Sequence, residues 1–156
     1  MNNIKQLAKL LVYNKKTLGI AESCTGGMLS NILTNIPGSS KFFRLSLVPY
    51  DNKFKTILLK VPEKILKTRG AVSSQAVLLM AKNIRGLAKT DFGLSISGIA
   101  GPGGKTEAKP VGLVYIGLSS QEKNTCKKFI FKGSRLSVKK QAVNAALNLL
   151  LVQIKK

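Results

Sequence analysis

Histidine occurs nowhere in the 156 residues, and its absence removes the Ser-His-Asp triad, the Cys-His pair and the usual zinc sites together. Carboxylates are nearly as scarce. Six Asp and Glu, scattered singly, give little support to a paired-carboxylate glycosidase or a multi-metal phosphatase. The two cysteines, Cys24 and Cys126, lie too far apart for a metal spacing or a disulfide framework, so both are expected as reduced thiols. No apolar run approaches the length that spans a bilayer, which excludes a membrane-embedded class. Lysines interrupt the amphipathic Met1 to Val12 segment, where a secretory signal would keep an unbroken apolar core, so the expected location is cytoplasmic.

Positive charge is what the chain has in excess: 26 Lys and Arg against 6 Asp and Glu, a formal net charge of +20. Such a surplus raises nucleic acid as a partner. The lysines, however, are spread in ones and twos without a block, arginine is rare, Trp is absent and other aromatics are few. The residues that read bases or stack on them are therefore lacking. The surplus reads as a lysine-rich solvated surface that draws small anionic substrates, and nucleic acid is not the expected partner. The length suits one domain over residues 1–156 with a sizeable core. Small domains of this size commonly pair, which leaves a homodimer open. Without imidazole, a nucleophile in this chain needs lysine as its base.

The chain is organised around 17–30. Thr17 to Ala21 has strand length, Glu22 to Gly27 is a polar turn, and Met28, Leu29, Ile32, Leu33 and Ile36 recur at helical spacing until Pro37 and Gly38. Two glycines at the first turn of a helix leave backbone N–H groups uncovered for an anion or a developing oxyanion. Ser23 stands just before them. Either Ser23 or Thr25 simply caps the helix, or Ser23 is a nucleophile beside its oxyanion donors.

Around this stretch the pattern predicts a first helix over 2–14, a strand near 45–48 followed by Pro49 and Tyr50, and a helix from Asn52 capped by Asp51. Lys53 and Lys55 fall in that helix's first turns, where the macrodipole and mutual repulsion favour a neutral amine. Pro62 starts a short helix, and Ser73 or Ser74 caps a longer one with Val77, Met80, Ala81, Ile84 and Leu87 inward. Strands are predicted over 92–96, 111–118 and 125–132, the last two as an antiparallel hairpin, before a C-terminal helix opened by Ser134. The alternation predicts an α/β fold, a three-layer α/β/α sandwich around a mixed sheet. Its site is expected where the loops 22–27, 49–52 and 97–110 leave the strand ends. Gly98 to Thr106 imitates a phosphate-binding P-loop, but the glycine spacing is one residue off, and Pro110 and a strand follow instead of a helix.

Taken together, Ala21-Glu-Ser-Cys-Thr-Gly-Gly27, Pro37-Gly-Ser-Ser40, Tyr50-x-Asn52-x-x-Lys55, Gly70-Ala-Val-Ser73, Ser97-Gly-Ile-Ala-Gly-Pro102 and Lys109-Pro-Val-Gly112 resemble the CinA C-terminal domain family in order and spacing over nearly the whole chain. The molybdopterin-binding-like N-terminal module of longer CinA proteins has no counterpart, so the resemblance is to the stand-alone nicotinamide mononucleotide deamidase. It implies hydrolysis of the carboxamide of nicotinamide mononucleotide to nicotinate mononucleotide and ammonia, in pyridine nucleotide salvage, with neither metal nor organic cofactor. Carried onto this sequence, it makes Ser23 the nucleophile, Lys55 its base and Tyr50 an orienting or proton-relaying neighbour. Thr25, Gly26 and Gly27 would bind the substrate, the N–H groups around the two glycines holding its oxyanion, while Ser97, Gly98 and Arg135 would contact the nucleotide, Arg135 at its phosphate. The chain departs from the family at Asp51, Ser46, Pro49 and Lys139, the last replacing a common arginine. The alternative is a catalytically inactive or altered-specificity nucleotide-binding relative.

Overall fold

The computed structural model describes residues 2–155. In chain order the elements are α1 (Asn2–Tyr13), β1 (Leu18–Glu22), α2 (Met28–Thr34), β2 (Phe43–Leu47), α3 (Asn52–Leu59), α4 (Glu63–Thr68), α5 (Ser74–Ala88), β3 (Phe92–Gly98), β4 (Leu113–Ser119), β5 (Asn124–Ile130) and α6 (Arg135–Ile154). The helix starts follow the side chains that cap them. Asp51 accepts from Lys53 N at 2.7 Å, and the hydroxyls of Ser73 and Ser134 accept from Ala76 N and Ser137 N.

The five strands form one mixed sheet in the order β2-β1-β3-β4-β5, parallel across β2, β1 and β3 and antiparallel from β3 to β5. On one face α1, α2 and α6 bury Leu7, Leu11, Leu29, Leu33, Val143 and Leu147. On the other, α3, α4 and α5 bury Leu59, Val61, Met80 and Ile84. This is the predicted three-layer sandwich, with the C-terminal hairpin and helix in place. Helix α5 lies tight against the sheet because Gly93 has no Cβ: one built there would stand 2.0 Å from Ala81 O. Ser95 Oγ donates to Val77 O at 2.6 Å across the same contact.

The element ends differ slightly from the sequence pattern. β1 runs on to Glu22 and β3 to Gly98, while β4 begins at Leu113 instead of 111. A two-sided sheet explains this, since Glu22 and Ser97 are polar yet fully enclosed and so carry no alternating signal. Because β1, β2 and β3 are parallel, their carboxyl ends open on one edge. β4 begins and β5 ends on that edge too, which brings the start of α6 there. With β2 and β3 on opposite sides of β1, the turn after β1 occupies the switch point where open α/β sheets bind ligands.

Candidate active site

At that edge a cleft of about 370 Å³ is walled by Cys24, Tyr50, Arg135 and the loop from Gly98 to Gly104. Its size suits a small ligand, for which clefts of roughly 300 to 1,000 Å³ are usual. A larger cleft of about 650 Å³ opens at the far end of the sheet, among Asn14, Lys16, Asp91 and the Ser120–Lys123 turn. The buried polar groups Glu22, Ser23, Thr25 and Lys55 gather instead on the turn after β1 and the helix after β2, beside the smaller cleft, which makes this the candidate site.

Ser23 ends the strand ladder: its N–H donates to Ile96 O at 3.0 Å. The residue is 8% exposed, beside the cleft wall formed by Cys24. Neither Ser23 nor Thr25 caps α2. That role belongs to Glu22, wholly buried, whose Oε2 accepts from Gly27 N and Leu29 N at 3.1 Å each, and whose Oε1 accepts from Ser30 N at 2.9 Å and Ser30 Oγ at 2.6 Å. The donor role expected for Gly26 and Gly27 is thereby corrected. Gly27 N–H is held by Glu22 and Gly26 N–H donates to Ser23 O at 3.1 Å. The two glycines instead supply the left-handed turn, with φ of 61° and 90°. The N–H groups of Cys24 and Thr25 donate to no oxygen among the described residues, and Thr25 Oγ1 is buried without a partner there. The N–H of Cys24 lies against its own sulfur, which leaves the N–H of Thr25 as the turn's unused donor.

Lys55 is 1% exposed, although it lies on a helix. Its Nζ donates to Pro49 O at 2.9 Å and Tyr50 O at 3.0 Å. Burial lowers its pKa from the ordinary 10.5, against the opposing influence of the Asp51 carboxylate and Cys24. The direction matches the expectation from sequence, but the cause is desolvation rather than the helix start or Lys53. A neutral amine has two N–H donors and one lone pair. With both donors held by carbonyls, the lone pair takes the remaining tetrahedral direction. No hydrogen bond joins Lys55 Nζ to Ser23 Oγ in this structure; each is one step behind the cleft wall, Ser23 through Cys24 and Lys55 through Tyr50 O.

Cys24 could rival Ser23 as a nucleophile, but burial pushes its thiol up to about 11, outweighing the bond from its own backbone N–H and the pull of Lys139 and Arg135. It stays protonated at neutral pH and is a poor nucleophile. Arg135 spans the cleft mouth, donating from Nη1 to Gly101 O at 2.8 Å and from Nη2 to Tyr50 OH at 2.9 Å. It therefore ties the loops after β2 and β3 to α6, with other N–H donors left for a ligand. Lys139, one turn further along α6, brings its ammonium over Gly26, 3.6 Å from where a Cβ would stand, and pairs with no carboxylate among the described residues. Gly98 lines the cleft. Ser97 does not: β3 extends past it, pairs it with Tyr115 and leaves it 1% exposed. Among the described residues no group of three His, Cys, Asp or Glu side chains converges as metal ligands, and no helix is long and apolar enough to cross a membrane.

Sequence reasoning missed Glu22 and the donors of Cys24 and Thr25. The one available signal was an acidic residue at the end of an apolar strand, directly before the candidate nucleophile.

A profile of the CinA C-terminal domain matches residues 2–154. A putative competence-damage inducible protein of Caldicellulosiruptor bescii is 47% identical over 93% of this chain and 35% of its own length. A CinA-like protein of Endomicrobium trichonymphae is 49% identical over 91% of this chain and 33% of its own. The chain thus spans about a third of the length of these curated relatives. Among solved structures, the competence damage-inducible protein A of Klebsiella pneumoniae superposes with a TM-score of 0.95 at 29% identity, covering 99% of this chain and 96% of that one. A CinA superfamily protein of Enterobacter cloacae does so with a TM-score of 0.93 at 33% identity, covering 97% and 90%.

Proposed function

The chain belongs to the CinA C-terminal domain family, and on that premise we propose that it is an amidohydrolase that converts nicotinamide mononucleotide to nicotinate mononucleotide and ammonia. The observation that carries the reading is Lys55: a buried amine of lowered pKa, aligned by two carbonyls behind the cleft wall, in a chain without histidine. Neutral Lys55 takes the Ser23 proton as Oγ attacks the carboxamide carbon, and the carbonyl pair moves onto oxygen as an oxyanion. The N–H groups of Cys24 and Thr25, bound to no oxygen, are the donors best placed to receive it, a contribution of about 3 to 4 kcal/mol for one such donor in known cases. The Lys55 ammonium then protonates the leaving nitrogen, and ammonia departs to leave an ester on Ser23. Water adds to that ester with Lys55 again as base, Ser23 leaves and recovers its proton, and the acid is released. Tyr50 borders the cleft beside the pyridine, while Arg135 and Lys139 offer cations to the phosphate.

Incubation with nicotinamide mononucleotide and an ammonia assay test the reading. Release by the wild type that is lost in Ser23→Ala is the expected result, and equal release by both rejects it. A second reading, a nucleotide-binding relative without turnover, draws on the missing hydrogen bond between Ser23 and Lys55. It predicts a rise in melting temperature with the nucleotide and no ammonia.

A further inference from the structure

Glu22 is the buried ionisable side chain that this chemistry leaves unused, and its bonding pattern is unusual. An ordinary cap reaches two or three residues ahead. Glu22 reaches five, seven and eight residues ahead, to Gly27, Leu29 and Ser30. Four donors converge on its two oxygens, so both are saturated. The network continues outward, for Ser30 Oγ also lies 2.6 Å from Ser46 Oγ on β2. Since the single Ser30 proton is on the carboxylate, Ser46 donates in this second bond. Serine at position 46 therefore ties the turn after β1 to the neighbouring strand.

The consequence lies in what the other side chains are spared. Ser23 and Thr25 are both competent helix caps, and a cap made by either would consume the hydroxyl. With Glu22 collecting the first amides of α2, neither hydroxyl is drawn into the cap, and Thr25 Oγ1 is buried with no partner among the described residues. The chain from Ser23 to Gly26 is pinned at both ends, by Ser23 N–H on Ile96 O and by Gly27 N–H on Glu22. Cys24 and Thr25 N–H lie inside that span with no oxygen bound.

We propose that Glu22 is a positioning residue for the reaction: by capping α2 from the strand end, it holds the Ser23–Gly27 turn so that the Ser23 hydroxyl and the Cys24 and Thr25 amides face the reacting group. The proposal rests on the amidase reading and names the device that sets the geometry of its nucleophile. Glu22→Gln keeps the shape but replaces one acceptor with an NH₂ that opposes Ser30 N–H, which loosens the clamp.

The test compares wild type and Glu22→Gln with nicotinamide mononucleotide, recording kcat, KM, melting temperature and amide hydrogen exchange over 24–30. The expected result is a fall in kcat of roughly 10- to 100-fold, as small misplacements of reacting groups produce. KM should stay within about twofold, because the atoms that bind the rest of the ligand are untouched. Exchange should quicken at Gly27, Leu29 and Ser30. A folded Glu22→Gln protein with wild-type kcat overturns the proposal, leaving Glu22 a purely structural cap. If Glu22→Gln does not fold, Ser30→Ala decides: a smaller fall in kcat at unchanged KM supports the proposal, and unchanged kcat overturns it. A wild-type protein that releases no ammonia defeats the amidase reading and this inference with it, an outcome distinct from a turning-over wild type matched by its variants.

Discussion

The turns after β1 and β2 leave adjacent parallel strands on the same edge, and each leads into a helix capped by a carboxylate, yet the two are built in opposite ways. Asp51 is exposed and caps α3 with one short bond to Lys53 N. Glu22 is buried and caps α2 with four. After β2 the backbone carbonyls of Pro49 and Tyr50 turn inward to hold Lys55, so the turn serves as a cradle for an amine. After β1 the carbonyls of Ser23 and Thr25 are occupied within the turn while amides point elsewhere, so it serves as a donor array. Neighbouring turns are thus complementary: one aligns an amine by its acceptors, the other leaves N–H groups bound to no oxygen.

The largest effect that separates the two turns is loss of the nucleophile. Ser23→Ala should lower ammonia release at least about a thousandfold, as removal of a serine nucleophile does elsewhere. Similar rates in Ser23→Ala and wild type would break the assignment of the first turn to chemistry. Lys55→Met, which keeps the buried stem and removes the amine, should lower kcat by about 10² to 10⁴, the range of a general base. A wild-type rate in that variant would leave the second turn without a role in proton transfer.

The comparison also predicts unequal stability. Glu22→Ala leaves buried amides without an acceptor and should cost roughly 3 kcal/mol or more in urea unfolding, at 1 to 3 per orphaned group. Asp51→Ala loses one exposed cap and should cost about 1 kcal/mol. Equal costs would mean that the Glu22 network is no tighter than a surface cap.

The two turns differed in how much of them the sequence disclosed, and for a physical reason. Asp51 precedes an amphipathic helix at capping distance, a local signal, and its role is as expected. The caps Ser73 and Ser134, the β4–β5 hairpin and the α5 stripe from Val77 to Ile84 were legible on the same grounds, whereas Leu87, expected inward, is exposed. Glu22 was not, because its partners lie five to eight residues away and meet it only once the left-handed Gly26 and Gly27 fold α2 back over the strand end. Ser97 was misjudged because polar residues inside a two-sided sheet look like loop residues in sequence. Lys55 was singled out by motif and its lowered pKa was expected, yet the desolvation that lowers it is a property of tertiary burial that no helix-start argument contains. The ties from Arg135 to Gly101 and Tyr50 cross the whole chain and left no local trace.

The smallest effect is the most pointed, because it acts across the second turn on the amine alone. Asp51 favours the Lys55 ammonium and so raises the pKa that burial lowers. Asparagine caps a helix as well as aspartate does, so Asp51→Asn should leave α3 in place and let the Lys55 pKa fall further. The measurement is the pH dependence of kcat/KM in wild type and Asp51→Asn. If Lys55 is the base, activity rises with pH along a limb below the ordinary lysine value, and that limb moves to lower pH in the variant, with a higher rate at neutral pH. A limb that stays in place, or moves upward, would contradict an amine acting on Ser23.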